Sequence, residues 1–100
     1  MTHEIYTIDQ LRSMLIPVFR LHGVKSAVLF GSYGKGMAGA DSDIDLLVDS
    51  RLRGLRFVGL MEDVRSTVDK DVDILDISHI EENSKVQEEI KKTGVLLYEE

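Results

Sequence analysis

Residues 29–48 read LFGSYGKGMAGADSDIDLLV, and the two ends of this stretch constrain the fold that can hold it. Leu29 and Phe30 finish a short apolar run, Ser26-Ala27-Val28-Leu29-Phe30, bounded by Gly23 and Gly31, which predicts a buried strand. Residues 31–42 hold four of the eight glycines, Gly31, Gly34, Gly36 and Gly39, which predicts a loop with room for one short helical turn. Asp43-Ile44-Asp45-Leu46-Leu47-Val48 then reads as a second strand that opens on an alternation of acid and apolar residues. Residues i and i+2 of a strand point to the same face, so Asp43 and Asp45 lie side by side. Two carboxylates about 4 Å apart repel by on the order of 4 kcal/mol at a surface-like dielectric, less where water screens them, and a divalent cation reverses the sign.

Working outward, Thr7-Ile8-Asp9-Gln10 has the form of a capping box opening a helix. Ile8, Leu11, Leu15, Val18, Phe19 and Leu21 or His22 continue it at helical spacing, Pro17 predicts a kink or a split, and Gly23 a stop. Residues 55–68 carry Leu55, Val58, Leu60 or Met61, Val64 and Val68 as the inward face of a second helix. Residues 71–77, DVDILDI, repeat the acid/apolar alternation and predict a third strand. Ser78-His79-Ile80-Glu81 reads as another capping box, opening a helix through about Lys92 with Ile80, Val86 and Ile90 inward; Gly94 ends it and residues 95–98 form a last strand. The order α-β-β-α-β-α-β predicts an α/β (α+β) fold: a small mixed sheet with helices mainly on one face, the other face or one edge left for a partner.

The acids carry the chemistry. If the third strand pairs with the second in suitable register, Asp73 joins Asp43 and Asp45, and three carboxylates facing one point suit a hard cation with oxygen ligands. Mg²⁺ takes one or two protein carboxylates per ion, and two such ions clamp the attacking and leaving oxygens of an in-line displacement at phosphorus. Asp43 and Asp45 would then bridge both ions, and Asp73 would hold the one that activates an incoming hydroxyl and help take its proton. Gly31 lets backbone approach phosphate oxygens, Ser32 adds a hydroxyl and an N–H, and Lys35 a point charge. The loop is neither a Walker A motif nor a Rossmann fingerprint. Each of these residues also has a plainer reading: Asp73 as a surface acid like Asp71 and Asp76, Ser32 as a turn cap, Lys35 as a solvated loop lysine. Tyr33 either stacks on a base or covers core. Arg51, Arg53 and Arg56 form a basic cluster that touches phosphates or an acidic partner, or simply solvates a turn. His3, His22 and His79 lack metal-ligand spacing and read as structural or surface residues.

One hundred residues with 43% hydrophobic and 30% charged content are enough for one small core, so residues 1–100 read as a single domain. The net charge of −6 disfavours stable direct binding of a nucleic-acid backbone, yet allows a nucleotide that arrives with divalent metal. There is no cysteine, which excludes disulfides, thiolate catalysis and Cys-ligated zinc. Neither a signal sequence nor an apolar stretch of the roughly 20 residues needed to span a membrane is present, and a cytoplasmic location is expected.

Gly31-Ser32, ten residues, then Asp43-x-Asp45 resembles the signature of the DNA polymerase β-like nucleotidyltransferase superfamily, and the closer match is to its minimal nucleotidyltransferase (MNT) members. The resemblance extends to a later acid at Asp73 and to a closing segment from Gly94 to Tyr98. It implies the polymerase β-like fold, Mg²⁺ dependence with two ions, ATP as substrate and transfer of a nucleoside monophosphate to a hydroxyl. It also implies a partner, since such proteins are often antitoxins paired with a HEPN-domain ribonuclease toxin, some of which receive AMP on a tyrosine. Two positions depart from the family pattern: Lys35 stands where many relatives have Arg, and Gly39-Ala40 where many have Pro. On this resemblance the chain is expected to transfer AMP from ATP to a partner toxin, with Asp43, Asp45 and Asp73 as catalytic and metal residues and Gly31, Ser32 and Lys35 on the nucleotide. The alternatives are a binding module that blocks a toxin without catalysis, and an enzyme modifying a small molecule. A sheet face left open also allows a homo-oligomer.

Overall fold

The computed structural model describes residues 6–31, 43–80 and 84–100. Helix α1 (Ile8–Leu21) starts where the sequence says it should: Gln10 N–H donates to Thr7 Oγ1 (3.0 Å) and Thr7 N–H to Gln10 Oε1 (2.8 Å), so two orphan donors are satisfied reciprocally. The helix is not split at Pro17, which lies on its exposed side, while Leu11, Leu15 and Phe19 are fully buried on the opposite one. Their burial outweighs the ~3 kcal/mol that an interior proline costs. The chain then turns at Gly23 into strand β1 (Ser26–Phe30).

Strand β2 (Ile44–Asp49) pairs antiparallel with β1. Helix α2 (Leu55–Val68) follows, then β3 (Val72–Asp76), which lies parallel to β2. A parallel pair needs a crossover of a dozen or more residues, and α2 supplies it. A single 3₁₀ turn (Ile77–His79) precedes helix α3 (Lys85–Thr93), and β4 (Val95–Glu99) returns along β1 antiparallel, with an irregularity at Ala27/Val28. The sheet order is β3-β2-β1-β4, a four-stranded mixed sheet as expected.

Ala27, Leu29, Ile44, Leu46, Val48, Val72 and Ile74 form one sheet face, closed by Leu11, Leu15 and Phe19 of α1 and Leu60, Val64 and Val68 of α2. The two long helices therefore share this face. The short α3 lies on the other side, against β1: a Cβ at Gly94 would sit 2.9 Å from Val28 Cγ1 and closer still to the Ile90 carbonyl oxygen, so only glycine lets α3 turn directly into β4. Among the described residues no helix is long and apolar enough to cross a membrane.

Two expectations fail. Leu55 and Val58 are not inward; they are 87% and 48% exposed. The buried stripe of α2 runs Leu60, Val64, Val68, with Phe57 and Met61 half-buried beside it, and at 100° per residue positions 55 and 58 fall outside that arc. The helix expected from Ser78 instead starts at Lys85, capped by Ser84, whose Oγ accepts from Gln87 N–H (3.2 Å). Ile80 therefore precedes the helix rather than lining it; Glu81 and the Val86 side chain lie outside the described residues. Ser78 is diverted by the Asp76 carboxylate, which accepts from its N–H (3.0 Å) and its hydroxyl (2.6 Å).

The other oxygen of Asp76 accepts from Ser50 N–H (3.0 Å) and Ser50 Oγ (2.7 Å), so one carboxylate that is 4% exposed ties the end of β2 to the turn after β3. Burial pushes its pKa up, but the four hydrogen bonds from Ser78 and Ser50 outweigh it and hold the carboxyl at about 2, below the ordinary 3.8. A depressed carboxylate pKa stabilises the fold above the unfolded value, and this stability is lost as pH falls toward 2; the contribution at neutral pH is about 2 kcal/mol. Asp76→Asn is expected to lower urea-derived stability by about 1–3 kcal/mol near pH 7. The gap from wild type should shrink as pH is lowered from about 4 towards 2. A gap that stays constant across that window would show that the charge of Asp76 is not what holds the two strand ends.

Candidate active site

The parallel register decides where the acids meet. Ile44 pairs with Val72 and Asp45 with Asp73, so these two carboxylates occupy neighbouring positions on adjacent strands. Their face is the one opposite the main core, because Ile44 and Leu46 on either side of Asp45 are fully buried against the helices. Asp43 stands immediately before β2, two residues from Asp45, and Ile44 N–H donates to Asp71 O (3.1 Å), which carries the pairing up to that point. Asp43 and Asp73 are exposed; Asp45 is half-buried between them.

The electrostatics follow from this placement. The pKa of Asp45 is raised, first by burial and then by the like charges of Asp73, Asp43 and Glu89. Glu89 lies on α3, and no sequence signal singles it out, because its proximity to Asp45 depends on α3 folding over β1. Among the described residues no three acid, histidine or cysteine side chains already form a cage for a metal ion. The donor chemistry nonetheless fits a hard cation: the groups are all oxygen ligands, and the charges of Asp73, Asp43 and Glu89 add to burial in raising the proton affinity of Asp45, a condition that a divalent ion relieves.

Gly31 is the other element of the site. Asp45 pairs with Phe30 on β1, so the residue after Phe30 passes directly over the Asp45 carboxylate. A Cβ at Gly31 would collide with Asp45 Oδ2 and lie 3.3 Å from its Cγ, and the backbone there has φ 71°, a left-handed conformation open to glycine. Gly31 thus lies against the acid that the sequence links it to. Ser32, Tyr33 and Lys35 lie outside the described residues.

The remaining candidates are elsewhere. Arg51, Arg53 and Arg56 follow the far end of β2, away from Asp43 and Asp45 at its start. His22 pairs with Asp63, joining the end of α1 to α2, and His79 meets Phe57 edge-on with ring centroids 5.9 Å apart. His3 is outside the described residues.

Residues 14–100 match the family described as Polymerase beta, Nucleotidyltransferase. A protein of Methanocaldococcus jannaschii named as protein adenylyltransferase MJ0435 is 35% identical over 75 residues, covering 73% of this chain and 81% of the relative. A chain in the crystal structure of a toxin–antitoxin with AMP-PNP superposes with a TM-score of 0.72 at 26% identity, over 89% of this chain and 73% of that one. A chain of the complex between tri-AMPylated Shewanella oneidensis HEPN toxin and MNT antitoxin has the same fold, with a TM-score of 0.64 at 24% identity over 94% and 74% of the two chains.

Two outcomes are expected at this site. Asp45→Asn, measured by chemical denaturation without divalent ions, should stabilise the protein by roughly 0.2–1 kcal/mol, because it removes a like-charge pair across adjacent strands. Mg²⁺ should raise the Tm of wild type and leave that of the variant unchanged; a variant that is destabilised in the absence of metal would contradict the electrostatic account. Gly31→Ala should cost about 1–2 kcal/mol of stability from its left-handed backbone. It should also displace the Asp45 carboxylate, so that the Mg²⁺-dependent rise in Tm disappears while the fold persists.

Proposed function

The chain belongs to the Polymerase beta, Nucleotidyltransferase family, and from that membership we propose that it transfers AMP from ATP to a hydroxyl of a partner protein, a tyrosine of a HEPN-domain toxin, and so acts as that toxin's antitoxin. The observation that carries this reading is the register of β2 and β3, which sets Asp73 beside Asp45 with Asp43 two residues upstream. Asp43, Asp45 and Asp73 would hold Mg²⁺, two ions in the full complement, and Gly31, Ser32 and Lys35 would receive the triphosphate. Bound Mg²⁺ supplies positive charge to the phosphate oxygens and to the reacting hydroxyl.

The protein's own residues do the rest. Asp45, half-buried and flanked by like charge, gives the site a fixed negative centre that aligns the triphosphate only together with cation. Gly31 keeps the floor under the phosphates free of side-chain bulk. Asp73 is exposed, so an incoming hydroxyl can reach it, and it would help take that hydroxyl's proton as the oxygen bonds to the α-phosphorus. The bond from that phosphorus to the bridging oxygen breaks in the same displacement, and pyrophosphate leaves with the electron pair.

The relatives support the choice of substrate class. One is named as a protein adenylyltransferase, one structural neighbour is a toxin–antitoxin with AMP-PNP, and another is the complex of an AMPylated HEPN toxin with MNT antitoxin. Intact-mass analysis of the HEPN partner after incubation with this protein, ATP and Mg²⁺ should show gains of whole AMP units. Asp43→Asn and Asp73→Asn should abolish the gain. Neutralisation of the partner with no gain in mass, equally by wild type and Asp43→Asn, would replace transfer by steric blocking; AMP found on an added aminoglycoside and not on protein would make the substrate a small molecule.

A further inference from the structure

The end of the sheet opposite the acids carries a surface that nucleotide chemistry does not use. From the end of β2 into the first turn of α2 the chain exposes Arg51, Arg53 and Arg56, and among the described residues none of the three is ion-paired with a carboxylate. The first turn of α2 contains no acid to offset them. In a chain of net charge −6 this is a concentrated reversal of sign. Apolar side chains stand among the guanidinium groups: Leu55 is 87% exposed and Ile77 49%. Two adjoining clefts of ≈ 360 and ≈ 440 Å³ share Leu52, Arg53 and Ser78 as walls.

This surface is held in shape from beneath. Asp76 binds Ser50 on one side and Ser78 on the other, and Ser50 Oγ also accepts from Leu52 N–H (3.1 Å). Arg51, directly after Ser50, is kept at φ 58°, a backbone region that non-glycine residues seldom enter. The buried carboxylate thus ties Ser50, next to Arg51, to Ser78 in the wall of both clefts. A surface fixed before binding loses less entropy when a partner docks.

We propose that the Arg51–Arg53–Arg56 ledge, with Leu55 and Ile77 exposed within it, is a docking surface for a protein segment that presents acidic side chains around an apolar one. Charge complementarity selects such a partner over a second copy of the same ledge, which would set arginine against arginine. The exposed Leu55 and Ile77 suit an apolar side chain rather than a phosphate backbone, and the acidic remainder of the chain, with Asp49 in the wall of one cleft, repels nucleic acid. Asp49, at the end of β2, lies about 13 Å of extended strand from Asp45, and Arg51 follows two residues later. A protein held here leaves the acids open to nucleotide. The surface does not depend on what those acids transfer.

The test uses the full ¹⁵N-labelled chain and a short synthetic peptide alternating Glu and Leu, with its Gln-for-Glu counterpart and an oligouridylate as controls. Amide shifts should appear at residues 51–57 and 77–79 and leave Asp45 and Asp73 unmoved. Raising the salt concentration should weaken binding, and the Gln peptide should bind far less tightly. The triple variant Arg51→Asn, Arg53→Gln, Arg56→Gln should weaken binding by about tenfold or more, with far-UV circular dichroism unchanged; asparagine at position 51 tolerates the left-handed backbone. Absence of binding, shifts centred elsewhere, or a triple variant that binds like wild type would each overturn the proposal. Tighter binding of oligouridylate at the same residues would overturn it in favour of a nucleic-acid surface.

Discussion

Everything in this protein depends on the parallel pairing of β2 with β3. That pairing needs a long crossover, and α2 provides both the connection and, through Leu60, Val64 and Val68, part of the core that makes the pairing hold. Its register sets Asp45 against Asp73 near one end of the two strands and Val48 against Asp76 near the other. A slip by one residue would turn every side chain of β3 to the opposite face and break both groupings together. One alignment of backbone hydrogen bonds therefore determines a site that repels itself and a latch that holds itself.

The two ends treat carboxylates in opposite ways. At the start of β2, Asp45 is half-buried among Asp43, Asp73 and Glu89, and its proton affinity rises. At the far end Asp76 is more deeply buried, yet its proton affinity falls, because two serines supply four donors to two oxygens. Burial pushes both in the same direction; what differs is whether hydrogen-bond donors or more acids surround the group. The first arrangement sets like charges against one another, and the second secures the far ends of the same strands. Strain concentrated at a functional site and offset elsewhere is a general property of folded proteins.

Glycine has a specific part in this balance. Gly31 allows the chain leaving β1 to cross the Asp45 carboxylate, and Gly94 allows α3 to turn into β4 against Val28. Both are close approaches of backbone to another element, where a methyl group would have no room. The first sets the end of β1 against Asp45; the second brings α3, and with it Glu89, over the same sheet face.

The sequence by itself determined most of the elements and which residues could carry chemistry. Local rules sufficed for the capping box at Thr7, the strand Ser26–Phe30, the acid alternation from Asp43 and the spacing of Gly31 from Asp43, because each acts over a few residues of chain. The same rules misplaced the start of α3 and the inward face of α2. Ser78 satisfies a capping pattern, but Asp76 takes its donors, and Leu55 fits a helical period whose phase is set by contact with the sheet. Only the tertiary structure decided that Asp73, among Asp71, Asp73 and Asp76, is the one beside Asp45, that Glu89 adds its charge, and that the arginines lie at the other end of β2. These are matters of register and of which surfaces meet across the sheet, and hydrogen bonds between residues distant in the chain fix them.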